Sequence, residues 1–162
     1  SPMRLKKGDR ERYMTLQLTD NATLRMKRAQ TLSAVMRRVF PHPLRYKESW
    51  HMKRGANSLY AWKPVAPEGY ASLGQLFTST DNPPDTKTIH CVPTSWVTKS
   101  TKPPRKVWDD TGAGSGKAGS MWIVNDMNMV IIIPGHDPPG PAECLEFSNK
   151  GLYAEHMKLN DV

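Results

Sequence analysis

Several stretches of this sequence hold residue types that could do chemistry. Thr111 to Ser120 reads Thr-Gly-Ala-Gly-Ser-Gly-Lys-Ala-Gly-Ser, and a glycine-rich loop closed by lysine is one way backbone N–H groups cradle a phosphate. That pattern needs a glycine five residues before Gly116 and a Ser or Thr after Lys117. Thr111 and Ala118 stand there instead, without an apolar strand leading in. The segment therefore reads as a flexible turn whose N–H groups, with Lys117, could at most cup an anion. His90-Cys91, His136 and Cys144 are metal-ligand types, but neither a CxxC nor an HxxxH spacing is present, so core thiols are expected instead of a zinc site. Asp109-Asp110 are adjacent, and adjacent residues on a strand point to opposite faces. They open a turn and do not form a paired acid and base. No Gly-x-Ser-x-Gly elbow presents a nucleophile. The expectation is a non-enzymatic protein with no catalytic residue, no metal and no cofactor.

The elements that would position such residues are easier to read. In Tyr60 to Gly74, Trp62 and Tyr70 can bury large apolar areas, while Pro64 and Pro67 fix φ and forbid a helix. The segment is expected to run extended, turn at Glu68-Gly69 and run extended again. A chain of 162 residues fits one domain with a real core. Its 14 prolines and 11 glycines favour many short strands and turns. The fold class expected is mostly β: a β-sandwich-like domain of two degenerate repeat units, preceded by a basic amphipathic helix.

The formal charge of +8 is unevenly placed. Residues 1–54 carry 14 Lys and Arg against 4 Asp and Glu, and the remainder carries 9 against 11. Basicity confined to the N-terminal third suits an anionic partner or a solvated arm. No apolar run of spanning length and no apolar signal-peptide core is present. With two cysteines and nine methionines, the chain is expected to be intracellular with reduced thiols.

Residues 1–14 are polar and read as a mobile or edge segment, and 15–43 as a basic N-terminal element. Within it Leu32, Val35, Met36, Val39 and Phe40 recur at helical spacing, ending before Pro41. A pair of strands broken near Ala29-Gln30 is the competing reading. Residues 44–162 form the β domain, with strands over 44–51, 75–78, 89–96, 121–124, 127–133 and 143–147 and a basic linker from Lys99 to Arg105. Trp50, Trp62, Asn82-Pro83-Pro84 and Cys91 reappear in order as Trp108, Trp122, Asp137-Pro138-Pro139 and Cys144, at offsets drifting from 58 and 60 to 55 and 53. Two copies of one β unit, 44–98 and 104–147, account for this. Trp62 and Trp122 then belong in related core positions.

The ordered set Trp50, Trp62, Lys63, Pro64, Pro67, Gly69, Tyr70, Leu73, Gly74, Pro83, Pro84, Cys91, Val92 and Pro93 resembles the Vps62-type domain. That vacuolar protein sorting-associated module also occurs within giant lipid-transfer proteins. In the second copy the matching positions are Trp108, Asp109, Asp110, Gly114, Gly116, Gly119, Ser120 and Trp122, but its Pro-x-Gly-Tyr turn is missing. The resemblance covers about residues 46–147 and implies an all-β module without catalysis, in proteins that bridge membranes and recruit adaptors.

The expected function is an interaction module of a larger membrane-trafficking or lipid-transfer protein, cytoplasmic and peripheral to membranes. A protein adaptor is expected along Glu68, Tyr70, Pro83, Pro84, Pro138 and Pro139. An anionic membrane surface is expected at Arg25, Lys27, Arg28, Arg37 and Arg38. The alternatives are nucleic-acid binding by the basic third and carbohydrate binding by exposed aromatics. Burial of the five tryptophans discriminates the last.

Overall fold

The computed structural model describes residues 37–112 and 116–148, and these are mostly β. The expected amphipathic helix falls largely outside them. Only its end is described: residues 37–39 are helical and the chain leaves the helix at Phe40, ahead of Pro41.

Strands β1 (Arg45–Arg54) and β2 (Asn57–Val65) form an antiparallel hairpin in which Arg54 faces Asn57 and Arg45 faces Val65. Its two-residue loop is opened by Gly55 at φ 58, a conformation that suits a residue without Cβ. The register shifts between Glu48 and Trp50, leaving Ser49 as the bulged residue. At the centre of β2, Tyr60, Ala61 and Trp62 are all buried, so the strand is covered on both faces there. The chain turns at Pro67–Tyr70, where the Tyr70 N–H donates to the Pro67 carbonyl at 3.1 Å and Gly69 sits at φ 80. The extended, turned and again extended course expected of residues 60–74 is what forms. Strand β3 (Tyr70–Ala71) pairs with β5 (Val92–Pro93), and β4 (Leu76–Thr78) adds to β2.

Strand β6 (Val97–Lys99) pairs with β10 (Leu145–Phe147). Between them lies a second hairpin with a third strand: β7 (Arg105–Asp109), β8 (Gly119–Ile123) and β9 (Val130–Pro134). Its register also shifts once, between Lys106 and Trp108, leaving Val107 bulged.

Several expected strands come out shorter, and two of them show why. Residues 89–96 give only β5, followed by a 3-10 turn over Thr94–Trp96. The run from Met127 to Ile133 is strand only from Val130 onward. The Asn125 side-chain oxygen accepts the Met127 and Met129 N–H groups, both at 3.1 Å, and Asn128 adopts φ 56, so residues 125–128 form a turn. Apolarity alone does not reveal that a polar residue two positions upstream has captured the backbone donors.

The hairpins meet through a small set of contacts. Trp50, Ala61 and Ile132 form one buried cluster, with Met52, Leu59 and Met121 against it. Trp122, Val124, Ile131, Ile133 and Cys144 form another. The Trp50 Nε1–H donates to the Lys117 carbonyl at 2.8 Å, and the indole packs against Gly119, where an added Cβ would come within 2.5 Å of Cε2. Strand β9 is an edge strand whose outward backbone groups at Ile132 would otherwise lack partners. The bulged Ser49 donates its hydroxyl to the Ile132 carbonyl at 2.7 Å, and the Ile132 N–H donates to Gln75 Oε1 at 2.9 Å.

Because the indole is fixed by its hydrogen bond and by Ile132 behind it, it has no room to yield. Gly119→Ala is expected to destabilise the fold by about 1–3 kcal/mol, the usual cost of overpacking a core, read as a lower urea midpoint at unchanged slope.

Candidate functional site

The sequence-expected binding residues fall in three places. Glu68 is exposed on the Pro67–Tyr70 turn. Tyr70 is half-buried and its hydroxyl donates to the Arg38 carbonyl, so it serves as an anchor for the incoming chain. The grip extends along residues 38–42. The His90 Nδ1–H donates to the Phe40 carbonyl at 2.7 Å, the Cys91 N–H to Pro41 at 2.7 Å, and the His42 Nδ1–H to the Ile89 carbonyl at 2.8 Å. The two imidazoles lie tilted to each other by 32° with centroids 4.3 Å apart, and Phe40 packs edge-on to Trp96 at 5.3 Å. Arg37 and Arg38 are exposed where this grip begins, while Arg25, Lys27 and Arg28 lie outside the described residues.

The prolines separate. Pro83 is exposed and Pro84 half-buried before Asp85, whose side chain caps the 3-10 turn over Thr86–Thr88. Pro138 is exposed but Pro139 is buried, its carbonyl accepting the Cys144 thiol at 3.9 Å. A groove of about 400 Å³ sets Pro139 and Pro141 against Pro103 and Pro104, with Lys99 and Cys144 also in its walls. Pro83 and Pro84 take no part in it. A neighbouring groove of about 620 Å³ runs from Lys102 to Lys106. There Lys102 pairs with Asp126 at 2.7 Å, and Lys106 reaches Asp109 at 3.4 Å and lies over the Trp122 ring. The role of the 103–104 prolines in walling a groove was hidden in what reads as a basic linker. Only the return of the chain past 139–141 creates it.

Cys91 and Cys144 are buried free thiols, and burial pushes both above the ordinary thiol range. That makes them poor nucleophiles at neutral pH. Asp110 is held below the usual carboxylate range, first by the hydrogen bond from His136 Nε2 at 2.6 Å and then by the Gly119 N–H at 3.0 Å. Asp109 is lowered too, first by the Thr111 hydroxyl and then by the Thr111 N–H. The two aspartates therefore fasten the mouth of the β7–β8 loop, each to different partners.

Four tryptophans are core: Trp50 is 3% exposed, Trp62 6%, Trp96 7% and Trp122 5%. Trp108 is the exception at 37%. It borders a groove of about 480 Å³ with Trp50, Met52, Leu59 and Met121. Among the tryptophans, a platform for sugars or bases thus shrinks to Trp108.

The sequence model of the family described as Vacuolar protein sorting-associated protein 62 matches residues 17–131. The chain belongs to this Vps62 family. The matched span takes in both bulged hairpins and stops inside β9, so the Pro138–Pro139 loop, Cys144 and β10 lie beyond it. Among solved structures, the crystal structure of GNIP1Aa from Chromobacterium piscinae is similar, with a TM-score of 0.53 and 24% identity over 65% of this chain. The likeness covers 22% of that chain and speaks for the fold alone. No curated protein matches.

Two measurements check this geometry. Acrylamide should quench mainly one of the five tryptophans, and Trp108→Phe should remove that component while leaving the emission of the buried four. For Asp110, a folded pKa below the unfolded value near 3.8 means that its stabilisation is present above that value and is lost as pH falls through the folded pKa. Asp110→Asn should therefore lower the urea midpoint at neutral pH, with the two proteins converging as pH falls through the lowered folded pKa and the wild-type carboxyl protonates.

Proposed function

We propose that this Vps62-family chain is a non-enzymatic interaction module of a larger protein in vacuolar sorting, acting peripherally at membranes from the cytoplasmic side. In this reading residues 44–147 are two related β units packed in a sandwich-like manner, and a basic amphipathic helix leads into them. The family supports a sorting role. The proline-walled groove with Lys99 on its rim supports an extended, acidic peptide of an adaptor as partner.

The observation that carries the reading is the grip on residues 38–42. Four hydrogen bonds, from Tyr70, His90, Cys91 and His42, tie this short segment to the β domain. The end of the basic third is thus tied to a fixed point of the β domain, which supports its presentation to an anionic surface. A freely trailing arm would not need such anchoring. A Lys or Arg near an anionic surface contributes about 1 kcal/mol, or roughly fivefold in binding.

Flotation with phosphatidylserine-containing vesicles tests this. Binding should fall with salt, Arg38→Glu should weaken it by about fivefold or more, and Tyr70→Phe should weaken it without touching a charge. Absence of binding at low salt would discard the membrane role. Equal binding by Tyr70→Phe would discard the anchored presentation.

A further inference from the structure

The two hairpins carry the same irregularity in the same place. In the first, Glu48 faces Trp62, Ser49 is bulged and Trp50 faces Ala61. In the second, Lys106 faces Trp122, Val107 is bulged and Trp108 faces Met121. A bulge re-aims the residues beside it, so Trp50 and Trp108 leave their hairpins in equivalent directions. Their fates differ. Trp50 is 3% exposed because the second hairpin receives it: Gly119 gives the indole room, the Lys117 carbonyl takes its N–H at 2.8 Å, and Ile132 lies behind. Trp108 is 37% exposed, and among the described residues its N–H has no acceptor. Beside it Val107 is 41% exposed where Ser49 binds the β9 edge.

The exposed indole continues the buried interface. It meets Trp50 edge-on at 5.8 Å, and both line the groove of about 480 Å³ with Met52, Leu59 and Met121. Apolar side chains from the loop ends of both hairpins therefore face one open space. A second copy of this chain has no free socket to fill it. The socket beside Gly119 is taken by Trp50, and the position of β2 that corresponds to Gly119, counting back from Trp122 and Trp62, is Leu59. A leucine there leaves no space for an indole.

We infer that the Trp108 face is a docking surface for a third β unit of the same kind, one that carries a glycine where this chain has Gly119. The partner's chemistry follows from the socket already seen. It offers a strand with glycine opposite the indole, a backbone carbonyl two residues before that glycine to accept Nε1–H, and an aliphatic edge strand. Because Val107 replaces Ser49, that edge contributes hydrocarbon contact in place of an accepted hydroxyl. This inference rests on reading the two hairpins as related units, and is independent of any membrane contact.

The test uses the full chain, 1–162, extended by a second copy of residues 104–148, in which Gly119 offers an unfilled socket. Trp108→Phe in the copy only keeps the parent Trp108 as the exposed probe. Docking should cut the acrylamide quenching of the parent Trp108 several-fold and make the copy resistant to protease. Gly119→Leu in the copy only should abolish both effects, as should Trp108→Ala in the parent. An appended copy that is digested while the parent survives, or a Trp108 that stays as quenchable as before, overturns the inference. So does docking that survives Gly119→Leu, or a parent chain whose Trp108 is already protected in a sedimenting dimer. Vesicle flotation of the unextended chain reads the membrane role separately, so failure of one is distinguishable from failure of the other.

Discussion

The contact on which the described structure depends is the seat of Trp50 against Gly119. One hairpin inserts its largest side chain into a place the other has cleared of side chain. Burying an indole removes a large apolar area from water, at about 25 cal/mol per Å². The gain is realised only if the indole N–H finds an acceptor, because an unpaired buried donor costs about 1–3 kcal/mol. The Lys117 carbonyl is that acceptor, and it stands in the stretch that most resembles a phosphate loop. Gly119 in this stretch is better understood as clearance for a neighbouring tryptophan.

The same contact fixes how the sheets end. Each main sheet has only three strands, and small sheets expose proportionally more edge. The β9 edge is closed by side chains from outside its own sheet: Ser49 from the bulge of β1 and Gln75 from the approach to β4. A bulge in β1 thus does two things at once, turning Trp50 toward its socket and turning Ser49 toward Ile132. At the other end of the domain, residues 38–42 are gripped by Tyr70 and by the 89–91 segment. The Glu68-Gly69 turn, by aiming Tyr70, is part of how the N-terminal element is held. That is the specialised role of a turn that the second hairpin lacks.

Local structure was legible where a residue's own conformational limits decide it. Pro64, Pro67 and Gly69 leave little choice of backbone, and the strand, turn and strand over 60–74 followed. That Trp62 and Trp122 are both interior could be read from their place among the apolar residues. Strand limits were less legible at 89–96 and 127–133, where a 3-10 turn and the Asn125 side chain take backbone groups that a ladder would have used. Among the candidate site residues, Glu68, Pro83 and Pro138 lie exposed. Tyr70 and Pro139 are committed to internal contacts that their residue types do not announce.

The sequence alone determined the family, the β character, the basic first third and the tendency of tryptophans and thiols to be interior. These follow from composition, local φ restrictions and ordered motifs, which act over a few residues or need no geometry. Only the tertiary structure decided which tryptophan is left outside. Trp50 and Trp108 hold like places on their hairpins, each just after the bulge. Their burial differs because 69 residues downstream of Trp50 a glycine clears a socket, while no such socket meets Trp108 among the described residues. Burial is a property of what arrives opposite a side chain, and long-range packing alone sets that.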